Sequence, residues 1–155
     1  MADQTSEADR ELIMERDFDA PRALVWRAWT EAEHLPQWWG PRDFTITTLA
    51  IDIRPGGMWR YLMHAPDGTD YDNRITFREF TPPERIVYLH GTDKDDDPEQ
   101  FVVTVTFSEQ GNKTHLTMRV LFPTVAQRKA NQAFGAVEIG YQTLAHLAEH
   151  LATMA

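Results

Sequence analysis

The sequence contains no cysteine, and this absence excludes several kinds of chemistry together. Disulfide bonds, thiolate nucleophiles, zinc fingers and iron–sulfur clusters all depend on that residue. The chain also lacks any apolar run near the roughly 20 residues that a membrane-spanning helix requires. Residues 1–11 are polar and acidic, whereas a secretory signal begins with basic residues and continues with an apolar stretch. We therefore expect a cytoplasmic protein that is neither secreted nor bound to a membrane.

Positive charge is scarce. The chain has 15 Lys and Arg against 24 Asp and Glu, which gives a net charge of −9. Such a surplus disfavours attraction to phosphate backbones and to anionic lipid, so nucleic acid is not an expected partner. Much of the acidity lies in residues 1–11 and in Asp93 to Gln100. Runs of this kind are typical of solvated segments, and an interaction loop is the alternative for the second one.

The length of 155 residues suits one sizeable hydrophobic core. We predict a disordered acidic tail over residues 1–9 and a single domain over residues 10–155. Alternation of apolar and polar residues predicts a strand at Glu11–Phe18 and six more strands after residue 44. These six are predicted at Thr45–Ile53, Met58–Ala65, Asp72–Phe80, Arg85–Gly91, Phe101–Ser108 and His115–Phe122.

Helical patterns lie between the first two strands and at the end of the chain. Pro21 opens one short helix, and Thr30 with Glu33 forms a capping box that predicts the start of a second. Thr124 with Gln127 predicts the start of a long final helix. Its apolar stripe comprises Phe134, Val137, Tyr141, Leu144, Ala148 and Leu151.

These elements define the fold class. We predict an α+β fold in which a curved antiparallel sheet of six or seven strands surrounds the long C-terminal helix, with two short helices after the first strand. A sheet with one apolar face needs a cover, and the long helix supplies it. The space between sheet and helix is then either packed core or a pocket.

Several separated blocks of the sequence resemble the activator of heat-shock protein 90 ATPase homologue family. The blocks are FDAPRALVWRAWT at 18–30, EHLPQWWGP at 33–41, RPGGMW at 54–59, PPERIVY at 82–88 and VTVTF at 103–107. The resemblance runs from about Arg10 to Leu151. It implies the START-like (SRPBCC) superfamily, whose relatives are often polyketide cyclase-like, and its helix-grip (Bet v 1-like) fold with a cavity beneath the long helix.

The implied cavity directs attention to amphipathic and apolar side chains on the predicted strands and final helix. We predict reversible binding of a small hydrophobic or aromatic molecule, since such side chains orient a ligand as well as enclose it. Ordinary core packing is the alternative for each of them. The predicted ligand-binding residues are Trp39, Trp59, Tyr61, Met63, Ile75, Phe77, Tyr88, His90, Phe101, Val103, Val137, Tyr141 and Leu144.

Two other functions remain open at this point. The first is a cyclase or proton-transfer enzyme in which His90, Tyr88 and Asp72 or Arg74 act on a polyketide-like substrate, although Arg74 could instead form an ion pair with Asp72 or Glu79. The second is an interaction module for a chaperone, heat-shock protein 90. This weak protein partner would bind the acidic segment Asp93 to Gln100, which we call the acidic loop. The protein is expected to be a monomer or a homodimer.

No metal or cofactor is expected. His146 to His150 fits the H-x-x-E-H pattern of a zinc enzyme, but no Asp or Glu follows Glu149 to supply a third protein ligand. Histidines in the last turns of a helix also interact favourably with the negative end of its dipole. The sequence contains no serine elbow, phosphate loop or nucleotide fingerprint. We therefore interpret the protein as a ligand binder rather than an enzyme.

Overall fold

The computed structural model describes residues 7–154 and contains one seven-stranded sheet and four α-helices. A short 3-10 helix at Glu7–Arg10 comes first. The elements that follow are β1 (Glu11–Phe18), α1 (Arg22–Thr30), α2 (Leu35–Trp38), β2 (Thr45–Ile51), β3 (Met58–His64), β4 (Asp70–Thr81), β5 (Arg85–Gly91), β6 (Phe101–Gln110), β7 (Lys113–Leu121), α3 (Val125–Phe134) and α4 (Ala136–Met154). This order confirms the predicted α+β fold class.

The strands form one open antiparallel sheet in the order β1-β7-β6-β5-β4-β3-β2. Strands β2 to β7 follow one another as a meander, and β1 joins the far edge by pairing with β7. The curved sheet has the C-terminal helix on one face. Buried side chains alternate along the strands, as in β3, where Trp59 and Tyr61 are both fully buried. Successive strand residues point to opposite faces, so these alternate positions share the face that α4 covers.

The second short helix starts later than the capping box predicts. The hydroxyl of Thr30 donates a hydrogen bond to the carbonyl oxygen of Trp26 (2.7 Å), within the last turn of α1. Thr30 is therefore the last residue of α1, and it does not cap a second helix. The helix α2 begins at Leu35, and Pro36 lies in its first turn instead of ending it. Proline is tolerated there because the first-turn N–H groups have no helical partner.

The predicted long helix is two helices. Thr124 caps α3 as predicted, since its hydroxyl oxygen accepts a hydrogen bond from the backbone N–H of Gln127 (3.1 Å). Gly135 then adopts a φ of 103° and ends α3. The helix α3 contains no buried residue, whereas the buried residues of α4 begin at Thr143 and continue with Leu144, Leu147 and Leu151. The first half of α4 therefore leaves space above the sheet.

The predicted apolar stripe changes as a result of this break. Phe134 and Tyr141, which the sequence placed against the sheet, are 79% and 41% exposed. Leu144 and Leu151 are buried as expected. Phe134 departs from the predicted stripe because it belongs to α3, which ends at Gly135. Tyr141 lies on α4 with the buried Leu144, but its hydroxyl oxygen lies at the edge of the sheet beside the backbone N–H of Glu15.

The predicted disordered tail covers residues 1–9, of which residues 1–6 lie outside the described residues. Glu7–Arg10 forms the 3-10 helix, and the Glu7 carboxylate lies 3.0 Å from the Arg119 guanidinium of β7. Residues 7–9 of the predicted tail therefore form regular structure. Between residues 7 and 154, none of the helices combines the length and apolarity needed to cross a membrane.

Replacing Gly135 tests the helix break. In one continuous helix, Gly135→Ala would raise the free energy of unfolding by about 1 kcal/mol, because alanine is the better helix former. A side chain at positive φ instead costs roughly 1 to 2 kcal/mol. We expect Gly135→Ala to lower the free energy of unfolding in urea, and Gly135→Asn to lower it less because asparagine tolerates left-handed backbone better. A stabilised Ala variant would contradict the break.

Candidate ligand-binding cavity

A cavity of about 240 Å³ lies between the concave face of the sheet and the first half of α4. Strands β1, β3, β5, β6 and β7 form its floor, and α3, α4 and the segment after α2 form its cover. The lining residues are Leu12, Met14, Trp39, Gly40, Pro41, Met63, Tyr88, His90, Phe101, Val103, Met118, Val120, Phe122, Asn131, Phe134, Ala136, Ile139, Gly140 and Thr143.

The register of the sheet assembles the floor of the cavity. Tyr88 of β5 lies opposite Val103 of β6, Val103 lies opposite Val120 of β7, and Val120 lies opposite Leu12 of β1. These four residues therefore form one row across four strands, on the face toward α4. Directly opposed residues in an antiparallel pair lie within about 5.5 Å of one another, so the row is continuous.

Small residues on α4 leave the cavity open. A Cβ atom placed on Gly140 would lie 2.0 Å from the Met14 sulfur atom. The backbone of α4 thus approaches β1 closely at this point, with Met14 filling the gap. Ala136 lines the cavity one turn earlier and has only a methyl group. The large leucines of α4 begin at Leu144, beyond the cavity.

A chain of hydrogen bonds runs along one side of the cavity. The indole N–H of Trp39 donates to the Tyr61 hydroxyl oxygen (2.8 Å). The same hydroxyl lies 3.1 Å from Nε2 of His90, and the Asn73 side-chain oxygen lies 3.0 Å from that nitrogen. Tyr61 and Asn73 are opposed in the β3–β4 register, which places both side chains beside His90. Nε2 of His90 therefore already has hydrogen-bond partners within the protein.

The titratable groups around the cavity are uncharged at neutral pH. Burial lowers the pKa of His90 to about 4. Burial also raises the pKa of Tyr61 and of Tyr88 above the ordinary tyrosine value, because it disfavours the charged form in each case. Within the described part of the chain, the lining contains no Lys, Arg, Asp or Glu. The cavity is thus apolar and neutral, with a few hydrogen-bonding groups.

Six of the predicted ligand-binding residues line this cavity: Trp39, Met63, Tyr88, His90, Phe101 and Val103. Five others are buried in the adjoining core: Trp59, Tyr61, Ile75, Phe77 and Leu144. Val137 is partly buried outside the lining. Tyr141 is exposed, and its hydroxyl oxygen accepts a hydrogen bond from the backbone N–H of Glu15 (3.3 Å).

Sequence reasoning missed the contribution of β1 and of the other α4 face. Leu12 and Met14 alternate along β1 and were detectable as one strand face, but their place at the cavity depends on β1 pairing with β7. On α4, the lining residues Ala136, Gly140 and Thr143 recur at helical spacing. These residues are small, so a helix face that is recognised by large apolar side chains does not include them.

The residues of the catalytic alternative do not assemble at the cavity. Only Tyr88 and His90 reach it. Asp72 and Arg74 alternate with the buried Ile75 on β4 and so face the opposite side of the sheet. Of the alternatives for Arg74, the ion pair with Asp72 or Glu79 does not form. Its guanidinium instead lies 3.0 Å from Asp93, with a second contact to Asp95 at 2.6 Å.

Acidic side chains of the acidic loop form ion pairs and hydrogen bonds within the protein. Asp93 is paired with the guanidinium groups of Arg60 and Arg74, which lower the pKa of its carboxyl. Asp97 is buried and accepts hydrogen bonds from the backbone N–H and hydroxyl of Thr92, each at 3.0 Å. With Asp95, which pairs with Arg74, three of the five acids of this loop have partners within the protein.

The histidines of the H-x-x-E-H motif have protein partners. Nδ1 of His146 lies 2.8 Å from the carbonyl oxygen of Gly40, and Nε2 of His150 lies 3.0 Å from Nδ1 of His34. One group with metal-ligand spacing occurs in the part of the chain that is described: Glu31, Glu33 and His34. Its Glu31 is already paired with Arg27 (3.0 Å), and the guanidinium charge opposes a bound cation.

The lowered pKa of His90 predicts how stability depends on pH. The folded pKa of about 4 lies below the ordinary value of 6.5, so protons bind the unfolded chain preferentially. This contribution to stability is present above pH 6.5 and declines toward pH 4, by up to about 1.4 kcal/mol per pH unit. Relative to the unsubstituted protein, we expect His90→Gln to show a flatter decline in urea unfolding over this range.

His115 provides a control of opposite sign. Hydrogen bonds that its ring donates to the carboxylates of Asp17 and Glu15 raise its pKa, so its contribution is present below pH 6.5 and declines as the pH rises through the folded pKa. We expect His115→Gln to remove only this small contribution.

In ¹⁵N imidazole titrations, His90 should stay neutral at pH 5. A His90 midpoint at pH 6 or above would contradict the assignment.

Comparison with known proteins supports the fold. The chain resembles the solved structure of a protein from Nitrosomonas europaea with a TM-score of 0.84 and 26% sequence identity, over 98% of this chain and 100% of the other. It resembles a protein from Arthrobacter aurescens with a TM-score of 0.86 and 22% sequence identity, over 97% of this chain and 90% of the other. It also resembles the AHSA1 protein from Silicibacter pomeroyi with a TM-score of 0.72 and 22% sequence identity, over 94% of this chain and 99% of the other. No curated protein matches it.

The family model for the activator of Hsp90 ATPase homolog 1-like protein matches residues 19–152. The match spans the short helices, the meander and α4, so it covers the elements that enclose the cavity. The chain therefore belongs to the activator of Hsp90 ATPase homologue 1-like family, within the START-like superfamily that the sequence blocks indicated.

Proposed function

We propose that the protein reversibly binds a small hydrophobic or aromatic molecule in the cavity between the sheet and α4. The observation that carries this proposal is the apolar, uncharged cavity of about 240 Å³ that the fold leaves unfilled. A solidly packed core contains few voids larger than a water molecule. A cavity of this size therefore costs stability, and a ligand that fills it recovers the lost contacts.

The cavity is smaller than the roughly 300 to 1,000 Å³ of sites for drug-sized ligands. This favours a molecule of one or two rings over a sterol. Trp39, Phe101 and Phe134 supply aromatic faces, which favour offset or edge-to-face contacts with a ring. Phe134 is 79% exposed at the end of α3, so it lies where the cavity meets solvent and marks the entry side.

The cyclase alternative has less support. A general base needs a partner that orients it and stabilises its charge, yet Asp72 and Arg74 lie on the far face of the sheet. His90 has amide and phenol partners instead of a carboxylate. The variant His90→Ala distinguishes the two functions, because a catalyst would lose turnover while retaining affinity for its substrate.

The family name suggests a third function, interaction with a chaperone. The acidic loop is the candidate surface, and electrostatic association through it would weaken as salt is raised. Asp93, Asp95 and Asp97 are engaged within the protein, and Asp96 and Glu99 are the remaining acids of the loop. We therefore rank this function below ligand binding.

Amide-shift NMR tests ligand binding directly. The labelled protein is titrated with fatty acids, sterols, flavonoids and aromatic polyketides. Under the proposal, saturable shifts cluster on Tyr88, His90, Val103 and Gly140 and leave the acidic loop unchanged. Shifts confined to residues outside the lining, or none with any compound, would refute it.

A pair of matched variants tests the location of binding. Ala136→Phe places a phenyl ring in the cavity, whereas Ala130→Phe places the same ring on an exposed position of α3. We expect Ala136→Phe to weaken binding at least tenfold by occupying the ligand's space, and Ala130→Phe to bind as the unsubstituted protein does. Isothermal titration calorimetry measures both. Equal affinities would place the ligand elsewhere.

A further inference from the structure

The hydroxyl of Tyr88 is unusual among the polar groups of the core. Tyr88 is only 2% exposed, and its hydroxyl forms no hydrogen bond with any of residues 7–154. Trp29 Nε1 is the one side-chain polar atom in this range that is both fully inaccessible and without a partner. The Tyr88 hydroxyl is therefore accessible, and since Tyr88 lines the cavity, the cavity is what gives access to it.

An unsatisfied hydroxyl in an apolar site costs free energy unless a partner is supplied. The neighbouring polar groups do not supply one, because the Trp39 indole is bonded to Tyr61 and the His90 Nε2 atom has two partners of its own. A ligand can supply it. The phenol both donates and accepts, so it fits a hydroxyl or a carbonyl group on the bound molecule.

The same surroundings oppose a charged ligand. No cationic or anionic side chain of the described chain lines the cavity, so a bound carboxylate or ammonium would lose its hydration without gaining a counterion. His90 cannot act as a cation here at neutral pH. Fatty acids and aromatic acids are therefore disfavoured, although their apolar parts suit the site.

We propose that the cavity selects an uncharged aromatic molecule that carries a hydroxyl or carbonyl group, and that the Tyr88 hydroxyl determines this selectivity by bonding to that group. This inference rests on the proposed function and adds the ligand class to it. It makes Tyr88 a specificity-determining residue, distinct from the apolar residues that only provide contact area.

Three probes of similar shape separate the contributions: naphthalene, 2-naphthol and 2-naphthoate. Their affinities are measured at pH 7 by quenching of tryptophan fluorescence, since Trp39 lines the cavity, with NMR shifts to locate them. We expect 2-naphthol to bind about five to ten times more tightly than naphthalene, as one hydrogen bond provides. We expect 2-naphthoate to bind at least ten times more weakly than 2-naphthol.

The substitution Tyr88→Phe removes the hydroxyl and keeps the ring. It should lower the affinity for 2-naphthol to that for naphthalene and leave the affinity for naphthalene unchanged. Tyr71→Phe is the matched control, because Tyr71 is 50% exposed and lies outside the lining. It should change neither affinity. Unfolding in urea establishes that each variant is folded.

The outcomes distinguish this inference from the proposed function. Equal affinities for 2-naphthol and naphthalene, tighter binding of 2-naphthoate, or a Tyr88→Phe variant that retains the preference for 2-naphthol would each overturn the selectivity while leaving a binding cavity in place. Absence of binding for all three probes, with no shifts at the lining residues, would overturn both.

Discussion

The close packing of α4 on the sheet is the constraint on which the rest of the structure depends. Large leucines secure the second half of the helix, and Gly140 brings its backbone against Met14 of β1. One turn before Gly140, at the start of α4, lies Ala136, which is too small to fill the concavity of the sheet. Dense packing is the rule in protein interiors, and the gap beside these small residues is therefore the observation on which the proposed binding site rests.

The hydrogen bonds beside the cavity determine its chemical character. Trp39, Tyr61, Asn73 and His90 are joined by hydrogen-bond contacts, and burial lowers the pKa of His90 so that the imidazole is neutral in this apolar site. Tyr88 stands next to this group without a partner. The arrangement therefore offers a ligand the Tyr88 hydroxyl within a largely apolar surface, and few precisely placed polar groups are what give such sites specificity.

The fold places this cavity but does not dictate its use, since one fold hosts many functions. What is particular to this chain is the lining and its cover. The helix α3 buries no residue, and elements with few buried contacts open at lower free energy than the core. Entry of a ligand past Phe134 is therefore compatible with a rigid sheet and a well-packed second half of α4.

The sequence by itself determined the element order, the meander and the family, because alternation, turn residues and capping signals are local and the matching blocks are spread along the chain. It also identified Tyr88 and His90 as cavity candidates, since strand alternation fixes which residues share a face. Only the tertiary structure decided that Arg74 pairs with Asp93 and that Leu12 and Met14 line the cavity. These facts depend on strand register and on the pairing of β1 with β7, which bring together residues about 100 positions apart in the chain. The break at Gly135 likewise required the three-dimensional structure, because glycine is compatible with a bend, a close contact or a helix end, and the packing around it selects among them.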